Sequence, residues 1–494
     1  MLPLFPALLG LLAVFLAWKF LKVQVARSKL PTGPAPLPLI GNLGLLRFKL
    51  HHQTLLKMSS TYGNVYTLWL GSTPMVVVNG YQAVKEVLVT RSEDFAERPV
   101  PIFLQDLIHD AQGVLFSNGH HWKQQRRFSL MTLRNLGLGK PVLEDSIQQE
   151  AGVLIETFAR QNGKPIDPSG PFLAAINNVI ATMLFGHSFS SEQDTFQHLI
   201  DGSKAMQQFS GKMWPRLYEA FPMVMKPLQP ILQRTLLALS HWKQLERLVQ
   251  NEIREHQKGG VPEEPRDFID SYLAQVEKCK GDPASTFTGK NMVQVILELF
   301  IAGSDTSTVA LRWALLCMVE HPEIQEQVQE ELDTVLDPSH VIRYEDRKIL
   351  PFTNAVLHET QRFSSLSAVG VFHKSSKNTS IKGMPLSKGV MILPNLYSVH
   401  YDPEQWETPY KFNPGHFLDK DGNFVKKDAF LLFSAGIRVC LGEKMARTML
   451  FILFTSLMRA FRFQLPEGVK KINREAILGI ALTPHPYKLC AIPR

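Results

Sequence analysis

Ten residues near the end of the chain restrict what it can fold into more than any other feature. They read Phe433-Ser434-Ala435-Gly436-Ile437-Arg438-Val439-Cys440-Leu441-Gly442. A cysteine sits in a loop of small residues, flanked by Gly436 and Gly442, with an apolar helix predicted after it. Glycine permits tight turns and close backbone approach. Such a loop can press a thiolate against a flat group while backbone N–H groups point at the sulfur. Arg438 adds a fixed positive charge two residues away. A lone cysteine is more often a buried, inert core residue, so it is the complete F-x-x-G-x-R-x-C-x-G pattern that carries the reading. Thiolate ligation of a haem iron needs this arrangement.

The chain has 494 residues, enough for a large core, and 45% hydrophobic and 20% charged residues place it among globular proteins. Its four cysteines, Cys279, Cys317, Cys440 and Cys490, lie far apart and form no C-x-x-C pair, which argues against a zinc site and for a reducing compartment. The net charge of +8 suits a solvated basic surface, an anionic membrane or an acidic partner. Met1 to Trp18 carries no charge, and the apolar run reaches Leu21 interrupted only by Lys19. About 20 helical residues span a bilayer. No basic stretch precedes the run and no small-x-small site follows it, which argues against a cleaved signal peptide. Lys19, Lys22, Arg27 and Lys29 follow, so the body is expected on the cytosolic side. The expected organisation is an anchor at 1–21, a basic, proline-rich linker at 22–38 and one catalytic domain at 39–494.

Val65–Leu70 and Met75–Val78 are β-rich runs separated by Gly71-Ser72-Thr73-Pro74, a hairpin signal, and a helix is expected around Gln82–Val89. Residues 100–118 read as a loop over a site. Trp122 and Arg126 share one face of a predicted helix and can bind an anion together. Phe221 to Leu228 is an apolar, proline-broken loop that either packs inside or dips into a membrane surface. Residues 290–319 form a long apolar helix containing Ala302-Gly303-Ser304-Asp305-Thr306-Ser307. Gly303 is costly inside a helix, and small or hydroxyl side chains cause kinks. Either helix packing or an open groove explains the small residues. Glu359 and Arg362 stand at i, i+3 on one helix face.

The cysteine loop, the A-G-x-D-T-S run, E-x-x-R and the Trp122/Arg126 pair together resemble the cytochrome P-450 superfamily. The resemblance covers the chain from the proline-rich segment onward and is nearest to the microsomal vertebrate family-two branch. The family's F-x-P-x-R-F appears here as Phe412-Asn413-Pro414-Gly415-His416-Phe417, with a branch-like His416 as third partner of the Glu359–Arg362 pair. The resemblance implies a mainly α fold, a helical body with a small β region behind one N-terminal transmembrane helix. It implies haem b (heme b, iron protoporphyrin IX) with Cys440 as axial iron ligand. Arg98, Trp122, Arg126, His373 and Arg438 would hold the propionates, and Asp305 and Thr306 would relay protons.

By motif position the substrate groove is expected to use Leu115 and Phe116, then Leu297, Phe300, Ile301 and Ala302 of the long helix. Val369, Gly370 and Val371 are expected from a strand after E-x-x-R, and Ile480 and Ala481 from the last turn. The implied reaction places one atom of dioxygen in a lipophilic fatty acid, steroid or xenobiotic and the other in water. No Gly-rich dinucleotide fingerprint is present, so electrons are expected from NADPH through a separate partner, NADPH-cytochrome P-450 reductase, with cytochrome b5 as a second donor. Lys123, Arg127 and Lys444 are expected to steer that partner. The implied location is the endoplasmic reticulum bilayer, with no nucleic-acid partner. A haem-thiolate isomerase or dehydratase and a haem sensor without turnover are the two rival readings.

Overall fold

The structure, a computed structural model, describes residues 4–46, 50–105, 113–137, 141–188, 213–235, 237–260, 262–469 and 471–494. Its centre is the helix Gly289–Glu320. Thr288 starts it by accepting the backbone N–H of Asn291 on its side chain. From Ser307 to Val319 every residue is buried, so this half is apolar on all sides and can only be a core helix. It passes a length-and-hydropathy test for a membrane span, but it is mostly buried inside the protein. The 32 residues run unbroken. Ser304, Thr306 and Thr308 each donate back to the carbonyl four residues earlier, at 2.7, 2.7 and 2.8 Å. Pro322 follows, where it cannot continue the helix but suits the first turn of the next, Pro322–Val335.

The helix Ser169–Phe185 packs along the long helix and is itself buried over most of its length. It stops at Gly186, whose φ of 78° is left-handed. Gly303 lies at this junction. A Cβ there would approach Ile180 Cδ1 to 3.0 Å, so the glycine serves close helix packing.

The β region is small. Strands β1 (Val65–Leu70) and β2 (Thr73–Val78) form the expected hairpin, but Leu70 pairs with Thr73. The turn is therefore Gly71-Ser72 alone, and Thr73 and Pro74 belong to the strand. Pro74 is tolerated at this near-terminal position. Two further strands from late in the chain complete the sheet, β3 (His373–Lys374) and β6 (Met391–Pro394), in the order β1-β2-β6-β3. Strands β4 (Thr379–Ile381) and β5 (Met384–Leu386) form a separate hairpin between them. Val369–Val371 is not the expected strand; it lies in the loop before β3. The helix expected around Gln82–Val89 is Tyr81–Lys85, followed by a wider turn at Glu86–Thr90.

Phe221–Leu228 is also not a loop, for Pro222–Thr235 is a helix. The N-terminal helix runs from Leu4 to Arg27, so Lys22 and Arg27 belong to its last turns. Residues 106–112 of the expected 100–118 loop lie outside the described residues, and the remainder includes one short helix, Ile102–Gln105.

The helix Pro351–Ser364 carries Glu359 and Arg362, both with fully buried side chains. Arg362 Nε and Nη2 donate to the two carboxylate oxygens of Glu359 at 2.7 Å each. The remaining guanidinium hydrogens reach the carbonyls of His400, Pro409 and Lys411. Glu359 also accepts the Asn413 N–H at 2.8 Å and lies 3.2 Å from His416 Nδ1. His416 thus occupies the expected third place. Breaking such a pair from one side costs about 3–5 kcal/mol, a large share of a domain's stability. Glu359→Ala is expected to yield little folded protein, read as soluble yield and thermal midpoint. A midpoint within a degree or two of wild type would mean the carboxylate holds nothing together.

Candidate functional site

The cysteine loop begins where Phe433 accepts the Cys440 N–H at 2.9 Å. Between them lies a single helical turn, Gly436–Arg438. Gly436 has φ +70°, and a Cβ there would sit 1.7 Å from the Leu88 carbonyl oxygen. No other residue type fits that contact, which seats the loop on the wide turn Glu86–Thr90. After Gly442 the helix Glu443–Ala460 starts, and its first amides point at the sulfur. Burial pushes the Cys440 thiol up, while the Gly442 and Glu443 N–H groups and Arg126 favour the thiolate. Cys440 nevertheless has exposed surface. A side chain with dense protein around it and open surface in front lines an interior cleft.

Three guanidiniums gather nearby. Arg98 Nη1 donates to the carbonyls of Val371 and Phe372, both at 2.7 Å, while its buried Nε has no protein acceptor. Arg438 donates to the carbonyls of Ala96 and Ser117 at 2.8 Å and lies 3.9 Å from the centre of the Trp122 ring. Arg126 donates to the Val439 carbonyl at 2.6 Å. Asn118 stitches the group together by bonding both the Arg98 backbone and Arg438. Burial, with repulsion from Arg126, pulls the Arg98 pKa down to about 9. Burial and repulsion from Arg98 and Arg126 do the same to Arg438, also to about 9. Cations crowded and desolvated in this way are complementary to a multiply charged anion. His373 donates Nδ1–H to the Phe95 carbonyl at 2.7 Å, leaving Nε2 as its open position. Burial and the Arg98 charge hold its pKa well below the usual histidine value. The set fits a flat group that carries two carboxylates and takes a sulfur ligand.

On the long helix, Ala302 is exposed and Thr306, one turn on, is half-buried, while Leu299 packs partly buried against the core. Ala302 and Thr306 share one stripe of the helix. Thr306 Oγ1 donates to the Ala302 carbonyl at 2.7 Å, and Asp305 is buried beside it. The expected groove needs correction here. Leu297 and Phe300 are each 2% exposed and belong to the main core, because helical rotation turns them away from Ala302. Ile301 and Phe116 are partly buried against that core, and Ala481 is buried in it. Leu115, Val371 and Ile480 do present exposed side chains, while Val369 and Gly370 are half-buried.

Sequence reasoning missed Glu298. It lies one turn before Ala302, buried, and its Oε2 accepts the N–H groups of Val114 and Leu115 at 2.6 and 2.9 Å. Gln294 donates to Oε1 at 3.1 Å. Burial raises the carboxyl to about 7. Glu298 therefore fixes the segment carrying Leu115 to the long helix. The signal was a single acid inside an apolar helical run.

The cation cluster generates a test. A charge-assisted hydrogen bond contributes about 1.5–3 kcal/mol, and each 1.4 kcal/mol is a factor of ten. Arg98→Gln is expected to fold normally and to lose haem roughly tenfold faster or more, measured by transfer to a haem scavenger. Wild-type haem retention would remove Arg98 from the cradle.

Comparison with known proteins agrees with this geometry. The cytochrome P450 family profile matches residues 31–491. Cytochrome P450 2J2 from Homo sapiens is 41% identical over 487 residues, covering 99% of this chain and 96% of the relative. Cytochrome P450 2A13 from Homo sapiens is 39% identical over 488 residues, covering 99% and 98%. Cytochrome P450 2K1 from Oncorhynchus mykiss is 38% identical over 473 residues, covering 95% and 92%. With a match across nearly its whole length and a sulfur-bearing cleft where that family's chemistry requires one, the chain belongs to the cytochrome P450 family of haem-thiolate monooxygenases and resembles its vertebrate family-two branch.

Proposed function

We propose that the chain is a membrane-anchored monooxygenase that inserts one atom of dioxygen into lipophilic substrates, with haem b held by Cys440. The observation that carries this reading is the placing of the Cys440 sulfur in a cleft beside three desolvated guanidiniums. Arg98, Arg126 and Arg438 would bind the propionates, with Trp122 supporting Arg438 and His373 offering Nε2. Haem bound by a thiolate supplies one-electron and dioxygen chemistry in which sulfur electron donation favours O–O cleavage.

The chain's own residues have defined tasks around that chemistry. The amides of Gly442 and Glu443 stabilise the sulfur as an anion. Ala302 leaves space on its helix stripe. Thr306 rests its proton on the Ala302 carbonyl, and rotation of the hydroxyl turns that proton toward the cleft. Asp305, on the next position of the helix, serves proton supply to it. This pair favours the monooxygenase over a haem-thiolate isomerase or dehydratase, which needs no such relay, and over a haem sensor without turnover.

The substrate is held by apolar surface. Leu115, Val371 and Ile480 come from segments tied respectively to Glu298, to Arg98 and, through the Leu482 N–H, to the Leu366 carbonyl. Apolar burial contributes about 25 cal/mol per Å² and gives weak control of register, so fatty acids, steroids or xenobiotics of medium size fit, with more than one oxidised position. Electrons would come from NADPH-cytochrome P-450 reductase, with cytochrome b5 as a second donor. Lys123, Arg127 and Lys444 are all exposed, available for steering an acidic partner face.

The helix Leu4–Arg27 has 24 residues, about 36 Å of length, enough to cross a bilayer. Leu11, Val14, Leu21 and Val25 on it are exposed. We assign it as the anchor, with the catalytic domain on the cytosolic side of the endoplasmic reticulum. Met223 at 90% exposed and Val224 at 60% form a second apolar surface suited to the bilayer interface.

The deciding experiment is reconstitution with reductase and NADPH. Product formation dependent on both is expected, and its absence with a haem-loaded protein would favour the isomerase or sensor. Cys440→His should lose the red-shifted Soret band of the reduced carbon-monoxide complex; an unchanged band means another ligand. Ala302→Leu should shift product ratios or abolish oxidation without haem loss. Identical products from both proteins would move the substrate site off this stripe. Thr306→Ala should keep haem and substrate binding yet divert electrons to hydrogen peroxide, so wild-type coupling of NADPH to product would remove Thr306 from the relay.

A further inference from the structure

A second cleft, of about 450 Å³, opens between the helix Pro351–Ser364, the turn Tyr344–Lys348, the segment 423–430 and the start of the helix Glu443–Ala460. Its volume lies in the range of small-molecule sites, about 300–1,000 Å³. Five cations line it, Arg347, Lys348, Lys426, Lys427 and Arg447, against one carboxylate, Glu443. Glu443 is already engaged by Arg447 Nε at 2.9 Å. Arg447 is held further by donating to His358 Nε2 at 2.6 Å, and His358 donates its Nδ1–H to the Asn354 carbonyl at 2.8 Å. Lys426 and Lys427 have no ion pair among the described residues.

Aromatic rings are part of the lining. The His358 ring lies 4.6 Å from Phe424 and 5.3 Å from Phe430, centre to centre. Burial brings the His358 pKa down to about 3, so the ring is neutral and contributes surface rather than charge. Elsewhere in the lining Arg347 lies over the Tyr344 ring at 3.9 Å. Cations and flat rings lining one cleft are complementary to a ligand with both parts. Arginine and lysine recognise phosphate oxygens, and aromatic or guanidinium planes accept a stacked ring.

We propose that this cleft binds a phosphorylated aromatic compound of nucleotide size, on the chain's own surface and apart from the haem cleft. It needs no electron transfer, so it stands or falls independently of the catalytic reading.

The test uses the full-length, haem-loaded protein without reductase, titrated calorimetrically at low salt with ATP, inorganic pyrophosphate and adenosine. ATP is expected to bind saturably, pyrophosphate at least tenfold more weakly and adenosine not measurably. The Lys426→Glu, Lys427→Glu double variant, altered only at side chains near the surface, should bind ATP at least tenfold more weakly with an unchanged reduced carbon-monoxide spectrum. No saturable ATP binding, or ATP binding untouched by the double variant, overturns the proposal. So does pyrophosphate binding as tight as ATP, which would leave the aromatic rings without a role. Should a poly-glutamate peptide bind with the same lysine dependence while ATP does not, the cleft belongs to an acidic protein partner and the proposal fails.

Discussion

Glu359 and Arg362 are ions removed completely from water, and each is tolerable only because the other is there. Their mutual attraction does not by itself make the fold stable, since desolvation offsets most of it. What it does is dictate where other chain segments go. Arg362 has hydrogens left over, and these require the carbonyls of His400, Pro409 and Lys411. Glu359 has lone pairs left over, and these require Asn413 and His416. An irregular stretch without long elements of its own is thereby held against a helix, close before the loop that carries Cys440.

The cysteine loop depends on a different constraint, steric rather than ionic. Gly436 lets the loop backbone lie on the Leu88 carbonyl. Arg438 then reaches the segment containing Ala96, Ser117 and Asn118, and Arg98 reaches the loop before β3. Each guanidinium satisfies carbonyls of irregular backbone, so the cationic cluster is also the scaffold that orders the loops around the cleft. An arginine has five donors, so each of these side chains can order the loops and keep hydrogens for an anion.

The long helix divides its labour along its length. Its second half is buried on all sides, while ahead of that Ala302 is exposed and Thr306 half-buried. The small residues separate by role. Ala302 is exposed, and Gly303 admits Ile180 of the neighbouring helix. Glu298 links the same helix to the segment above it, joining cleft wall and cleft cover through one carboxylate.

Sequence alone determined the chemistry-bearing motifs, because their meaning lies in residue type and short spacing: the Cys440 loop, E-x-x-R with His416, and Trp122 with Arg126 on one helix face. It also determined the long helix to within a residue at each end, since apolar character and the cap are local. Tertiary structure decided which side chains face open space. Leu297, Phe300 and Ala481 are as apolar as Leu115, and only packing sends the first three into the core. In place of the strand expected at Val369–Val371 there is a loop, and its Val371 carbonyl is taken by Arg98 rather than by a neighbouring strand. The helix at Pro222–Thr235 was hidden by its prolines, which argue locally for a loop. The Glu298 contacts, the lining of the second cleft and the Gly303–Ile180 contact each join residues far apart in the chain, and no local pattern encodes such a meeting.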